Sequence, residues 1–227
     1  MATLYFSNTI SQAWNAITNW YTDAGLTIPA GRIPVSTDSV VVANCNVNGI
    51  AVEDSLAGSP VTVVNATFSG ANWDSDLIGI GINCTTAVFT NSSCSGIGNI
   101  ATLSINASSS ITFNGACIID AGVFYSPIIT LNDSTNNTGG DGTSVYSGPT
   151  GYTINVNGTA KLSNISAVSI FYNDPNIIIA NSAVIPNFAS DWEVVASSIT
   201  ITGGGGGVSV SNVLLTELLK LPFPIVL

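Results

Sequence analysis

Three pairs of carboxylates stand close together in the chain: Glu53 with Asp54, Asp74 with Asp76, and Asp191 with Glu193. Glycosidic hydrolysis needs two carboxyls ~5–10 Å apart in one cleft, one of them protonating the leaving oxygen. Residues i and i+2 of a strand face the same side, so Asp74 and Asp76 would approach the lower end of that range. Trp73 beside Asp74, and Trp192 between Asp191 and Glu193, add flat apolar surfaces on which a sugar ring stacks. Two alternatives follow: a carbohydrate-binding module or adhesin using Trp73, Asp74 and Trp192 on a cell-surface glycan, and a polysaccharide-degrading enzyme. Against the enzyme stands the scarcity of bases, only Arg32, Lys161 and Lys220; polysaccharide sites usually carry several.

Other chemistries lack their residues. The chain has no histidine, so neither a Ser-His nor a Cys-His pair can form. Zinc has neither His nor clustered Cys to hold it. The five glycines from Gly203 to Gly207 are not followed by the Gly-Lys-Ser/Thr of a phosphate cradle. Asp133 and Asp141 do not match the spacing of an EF-hand. The expectation is therefore no enzyme, no cofactor and no metal. Three bases against thirteen acids give a net charge of −10, which excludes the basic footprint of a nucleic-acid binder. No apolar run is long enough for a membrane helix, and the opening "MATLYFSNTISQAW" lacks the basic-then-apolar pattern of a secretory signal.

Composition points instead to architecture. Charged residues are 7% and apolar residues 46%; much of the rest is Asn, Ser, Thr and Gly. An Asn recurs after apolar alternation: "VVVANC" (Asn44), "VTVVNA" (Asn65), "IGINC" (Asn83), "LSINA" (Asn106), "ITLND" (Asn132), "YTINVN" (Asn155) and "IIIANS" (Asn181), with Gly203 in the same context. A second alternation often follows, ending at Phe68, Phe89, Phe113, Leu162 or Ile185. A variable repeat of about two dozen residues with two or three short strands is the signature of a β-solenoid. The fold expected is all-β: a single-stranded right-handed parallel β-helix of about seven to eight coils. The alternative is a β-sandwich or jelly roll. In the solenoid the seven Asn form a corner ladder, bonding from coil to coil. The small residue after each (Cys45, Ala66, Cys84, Ala107) would point inward. Cys94 and Cys117 would stack in adjacent coils, and all four cysteines read as buried small apolar residues. Threonines do not hold one column in this alignment, which argues against an ice-binding array.

The ends differ from the middle. Residues 1–39 are expected to cap the solenoid, with Ser11 to Tyr21 a short helix or irregular cap and Trp14 and Trp20 covering the open core. The order Trp14, Asn19, Trp20, Gly25, Pro34, Asp38, Val40 resembles the opening of β-helical surface and fibre proteins of bacteria, phages and large viruses. That resemblance, with the repeat style, implies an architecture more than an activity, and it implies a homo-oligomer with a trimer favoured. Residues 40–203 form the solenoid, interrupted by an exposed loop, 132–151. Residues 204–227 are a glycine linker, a short helix and an apolar tail. Leu214, Leu215, Leu218 and Leu219 make one stripe, and Phe223 and Ile225 extend it, as a cap or an oligomer contact.

The functional expectation is a structural component of a virion (fibre, tail or capsid surface), forming a stiff rod. Its partners would be copies of itself or other virion proteins. Its place would be the virion surface or, alternatively, the cell surface.

Overall fold

The computed structural model describes residues 1–7, 16–43, 61–75, 80–96, 103–119, 122–133, 143–160, 168–171, 173, 175–180 and 198–202. In chain order the described elements are β1 (Thr3–Phe6), a 3-10 turn at Ile17–Asn19, β2 (Trp20–Tyr21) and β3 (Ser39–Ala43). β4 (Val61–Thr62), β5 (Asn65–Ser69) and β6 (Asn72–Ser75) form one three-sided turn. β7 (Ile80–Thr90) with β8 (Ser93–Gly96), and β9 (Leu103–Asn114) with β10 (Ile118–Ile119), form two more. Then come β11 (Gly122–Tyr125), β12 (Ile128–Leu131), β13 (Thr143–Ser147), β14 (Thr153–Val156), β15 (Val168–Phe171), β16 (Asn176–Ala180) and β17 (Ser198–Thr202).

Apart from β2, the strands pair in parallel with their equivalents one turn on, so the fold is a parallel β-solenoid. β7 and β9 are long because each passes through a corner, bending where the register shifts between Cys84 and Thr86. Among the described residues, nine strands stack on the long side: β1, β3, β5, the second halves of β7 and β9, β12, β14, β16 and β17. The first halves of β7 and β9 continue a second side through β4, β11, β13 and β15. β6, β8 and β10 form the third.

Parallel strands buried on one face and wet on the other alternate apolar and polar residues, and the register turns that alternation into files. One inward file on the long side is Leu4, Val40, Ala66, Ala87, Ile111, Ile129, Ile154 and Ile177. The next is Phe6, Val42, Phe68, Phe89, Phe113, Leu131 and Val156. All are buried. Phe68, Phe89 and Phe113 stack with centroids 4.6 and 4.8 Å apart, the spacing of the strands that carry them. Phe124 meets Phe113 edge-on from the second side, at 5.3 Å and 87°.

The long side ends in a lid. β2 runs antiparallel to β1, and Tyr21 bridges to Pro29. Proline has no N–H to offer another strand, so pairing stops there. Trp20 is fully buried and packs on Phe6, centroids 5.1 Å apart. Where a helix from Ser11 to Tyr21 was an option, residues 16–21 form the 3-10 turn and β2. Ala16 is extended and gives no side-chain cap, and Trp20 is better buried flat against the sheet end. Trp14 and residues 204–227, with Leu214, Leu215, Leu218, Leu219, Phe223 and Ile225, lie outside the described residues.

Two expectations change. The described residues close about three full turns, not seven to eight coils. Among the described residues after Ile119, β11, β13 and β15 lie on the second side and β12, β14, β16 and β17 on the long side. The expected loop 132–151 is also shorter: Thr143–Ser147 is β13, pairing with β11 and β15. Its inward Tyr146 stacks on Phe124 at 5.8 Å, a burial that the polar surroundings of the segment conceal in the sequence.

Candidate functional site

Five successive strands of the long side, β5, β7, β9, β12 and β14, end in a corner built from three residues: an inward apolar residue, a polar one, then one in the left-handed backbone region. Gly70 (φ 61°), Asn91 (47°), Gly115 (67°), Asp133 (57°) and Gly158 (67°) occupy that third place in five successive strands. Only Gly, Asn and Asp enter this region readily. The polar residue before it forms the ladder. Asn132 Nδ2 donates to Asn114 Oδ1 at 2.9 Å, and Asn157 Nδ2 donates to Asn132 Oδ1 at 2.9 Å.

The expected ladder is thereby divided. Asn132 belongs to this corner. Asn83 and Asn106 are register partners on the second side, and the residues after them, Cys84 and Ala107, are buried. Asn65 starts β5, where Thr86 Oγ1 donates to its Oδ1 at 2.7 Å and its Nδ2 reaches Ser39 Oγ at 3.5 Å. Asn155 lies in mid-strand, donating to Thr130 Oγ1 at 3.4 Å. Apolar alternation followed by Asn thus occurs at several different places in the turn. Asn114 and Asn157, which the alignment missed, were legible in "FNG", "LND" and "VNG": apolar, Asn, left-handed residue. Asn44 and Asn181 lie outside the described residues.

Of the three carboxylate pairs, Asp74 alone lies among the described residues; Glu53 and Asp54 lie outside them. Trp73 and Asp74 lie on β6, at the register positions of Cys94 and Ser95 on β8. Cys94 in turn pairs with Ile119, which is buried. Asp76, Trp192, Asp191 and Glu193 lie outside the described residues. Among the described residues, no group of His, Cys, Asp and Glu could hold a metal ion. Nor is any helix there long and apolar enough to cross a membrane.

The cysteine column also shifts. Ile119, not Cys117, is the register partner of Cys94. Cys117 lies two residues before Ile119 and outside β10, so the two cysteines do not share a register position. Cys117 is buried and its Sγ lies 3.1 Å from the Asn114 carbonyl oxygen, which accepts from it. Burial pushes the Cys84 thiol up to about 11, so it is protonated and inert at neutral pH.

One buried charge is firmly held. Asp38, buried, accepts two bonds from Arg32, with Nη2 at 3.1 Å from Oδ1, and one from the Val35 N–H at 3.0 Å. The Arg32 hydrogen bond holds its carboxyl at about 2, against the opposing effect of burial. The Asp38 carbonyl accepts from Val64 N–H at 2.6 Å, so this pair ties the lid to the first full turn.

Among the described residues, the outer face of the long side is a continuous surface available to a partner. Its central file runs Tyr5, Val41, Thr67, Val88, Thr112, Thr130, Asn155 and Ile178. Ser39, Asn65, Thr86, Ser110, Ile128 and Thr153 flank it on one side; Ser69, Thr90, Asn114, Asn132 and Asn157 on the other. All of these are half-buried except Ile128, which is exposed. None of the chain's ionisable Asp, Glu, Lys or Arg residues falls on the nine strands.

The geometry defines the chain as a β-solenoid with a capped N-terminal end and a neutral hydroxyl- and amide-rich face. Comparison with protein-family models, with curated proteins and with solved structures finds no match.

Proposed function

We propose that the chain is a non-enzymatic structural component of a virion, a fibre, tail or capsid-surface element whose work is mechanical. The observation that carries the mechanical part is the unbroken parallel pairing of nine strands over continuous inward files. Each strand's hydrogen bonds are satisfied by its neighbours, so local opening exposes both backbone and core. Eight spacings of ~4.8 Å give a stack roughly 40 Å long. The virion setting rests on the resemblance of Trp14, Asn19, Trp20, Gly25, Pro34, Asp38 and Val40 to the openings of β-helical fibre and surface proteins. Assembly, with a trimer favoured, is assigned to the apolar residues from Leu214 to Ile225.

The test is the native mass of the purified chain with and without residues 204–227, together with its survival in protease. An oligomer that falls to a protease-resistant monomer on truncation supports the reading. A monomer in both forms removes tail-mediated assembly, and rapid digestion of the described strands removes the rod.

A further inference from the structure

The geometry points to an ice-binding surface on the outer face of the long side, with crystalline water as its ligand. Four observations converge on it. First, the face repeats in two directions. Strands recur every ~4.8 Å across it, and outward residues every ~6.7 Å along each strand, both close to oxygen repeats on the faces of hexagonal ice. Second, its groups suit ordered water. Thr67, Thr112 and Thr130 offer hydroxyl and methyl together, and Val41 and Val88 keep the same branched shape in the same file. Third, a chain with thirteen acids keeps all of them off these strands. A charged side chain orders its own hydration shell and cannot join a neutral lattice. Fourth, side chains of the face are fixed from strand to strand by bonds such as Thr86 to Asn65 and Asn132 to Asn114, so little side-chain entropy is lost on binding.

The flatness such a surface needs follows from the fold. An open sheet twists by ~20–25° per strand. Here the long and second sides both pair in register and are joined through the corners of β7 and β9, so each restrains the twist of the other. A second copy of the chain suits the face less well. Protein interfaces are enriched in aromatic residues and depleted in serine, whereas this face, Tyr5 and Ile128 apart, is made of Ser, Thr, Asn and small branched residues.

The test is inhibition of ice recrystallisation and shaping of single ice crystals by the purified full chain. The native chain is expected to show both at micromolar concentration. Thr112→Lys and Thr130→Lys, each placing a charge in the central file, abolish both activities while the melting temperature is unchanged. Asn106→Lys, exposed on the second side, retains them. Absence of activity in the native chain overturns the proposal. So does equal loss in Asn106→Lys, or a native dimer that Thr112→Lys dissociates, which would assign the face to self-association.

Discussion

Phe89 and Phe113 lie face to face in successive turns, with ring centroids 4.8 Å apart and planes 16° from parallel. Their spacing is that of the strands beneath them, so the core repeats the backbone's own period. Phe89 touches Phe68 on its other face and Phe124 at its edge. Phe89→Ala should therefore cost about 3–5 kcal/mol, the cost of a large ring removed from a close-packed core. Phe89→Leu should cost less, because Leu131 already fills the same file. Equilibrium urea unfolding separates them; equal losses would show that the file does not pack as a stack.

At the next corner, a Cβ on Gly115 would overlap Oδ1 of Asn91, the oxygen that accepts from Ala116 N–H at 2.9 Å. Gly115→Ala thus carries both left-handed strain, about 1–2 kcal/mol, and a steric conflict. Gly31 has the same φ of 67° but open space around it. Gly31→Ala should show the strain alone. The difference between the two unfolding free energies measures the corner contact, and a difference of zero removes it.

The lid should respond to acid. Asp38 is depressed to about 2 from an ordinary 3.8, first by the Arg32 hydrogen bond. A carboxyl that is more acidic when folded stabilises the protein above its unfolded pKa, and the contribution disappears as pH falls from about 4 to about 2. Its size is on the order of 2 kcal/mol. Asp38→Asn should flatten the stability profile across that window, as followed by thermal melting against pH. An unchanged profile would place the acid sensitivity elsewhere.

Thiol chemistry offers a check on register. Cys84 and Cys117 are buried, so the native chain at pH 8 should leave both unalkylated, and denaturant should expose both. Mild oxidation should leave Cys94 and Cys117 unlinked. A Cys94–Cys117 disulfide found by peptide mapping would restore the expected column and contradict the pairing of Cys94 with Ile119.

The repeat, the β-solenoid and the inward Phe68, Phe89 and Phe113 were legible in the sequence because alternation and a recurring period are local properties. Asn83 and Asn106 were matched correctly, since their strands share both sequence and phase. Asn65 and Asn155 were not, because apolar alternation before an Asn looks the same at the start, middle or end of a strand. The lone tryptophan-bearing opening announced a cap, yet its form depended on what Trp20 could bury against.

Residue types alone determined that this chain has no histidine chemistry, no basic nucleic-acid surface and a strong tendency to stack polar, uncharged strands. Only the tertiary structure decided which residues share a file. Pairing runs between residues about two dozen positions apart, and loops of unequal length carry no phase. That register alone brings Thr67, Thr112 and Thr130 into one file and Gly115 beneath Asn91. It also separates Cys117 from Cys94, because one strand's inward side chains must meet the next strand's at a spacing that backbone hydrogen bonds impose.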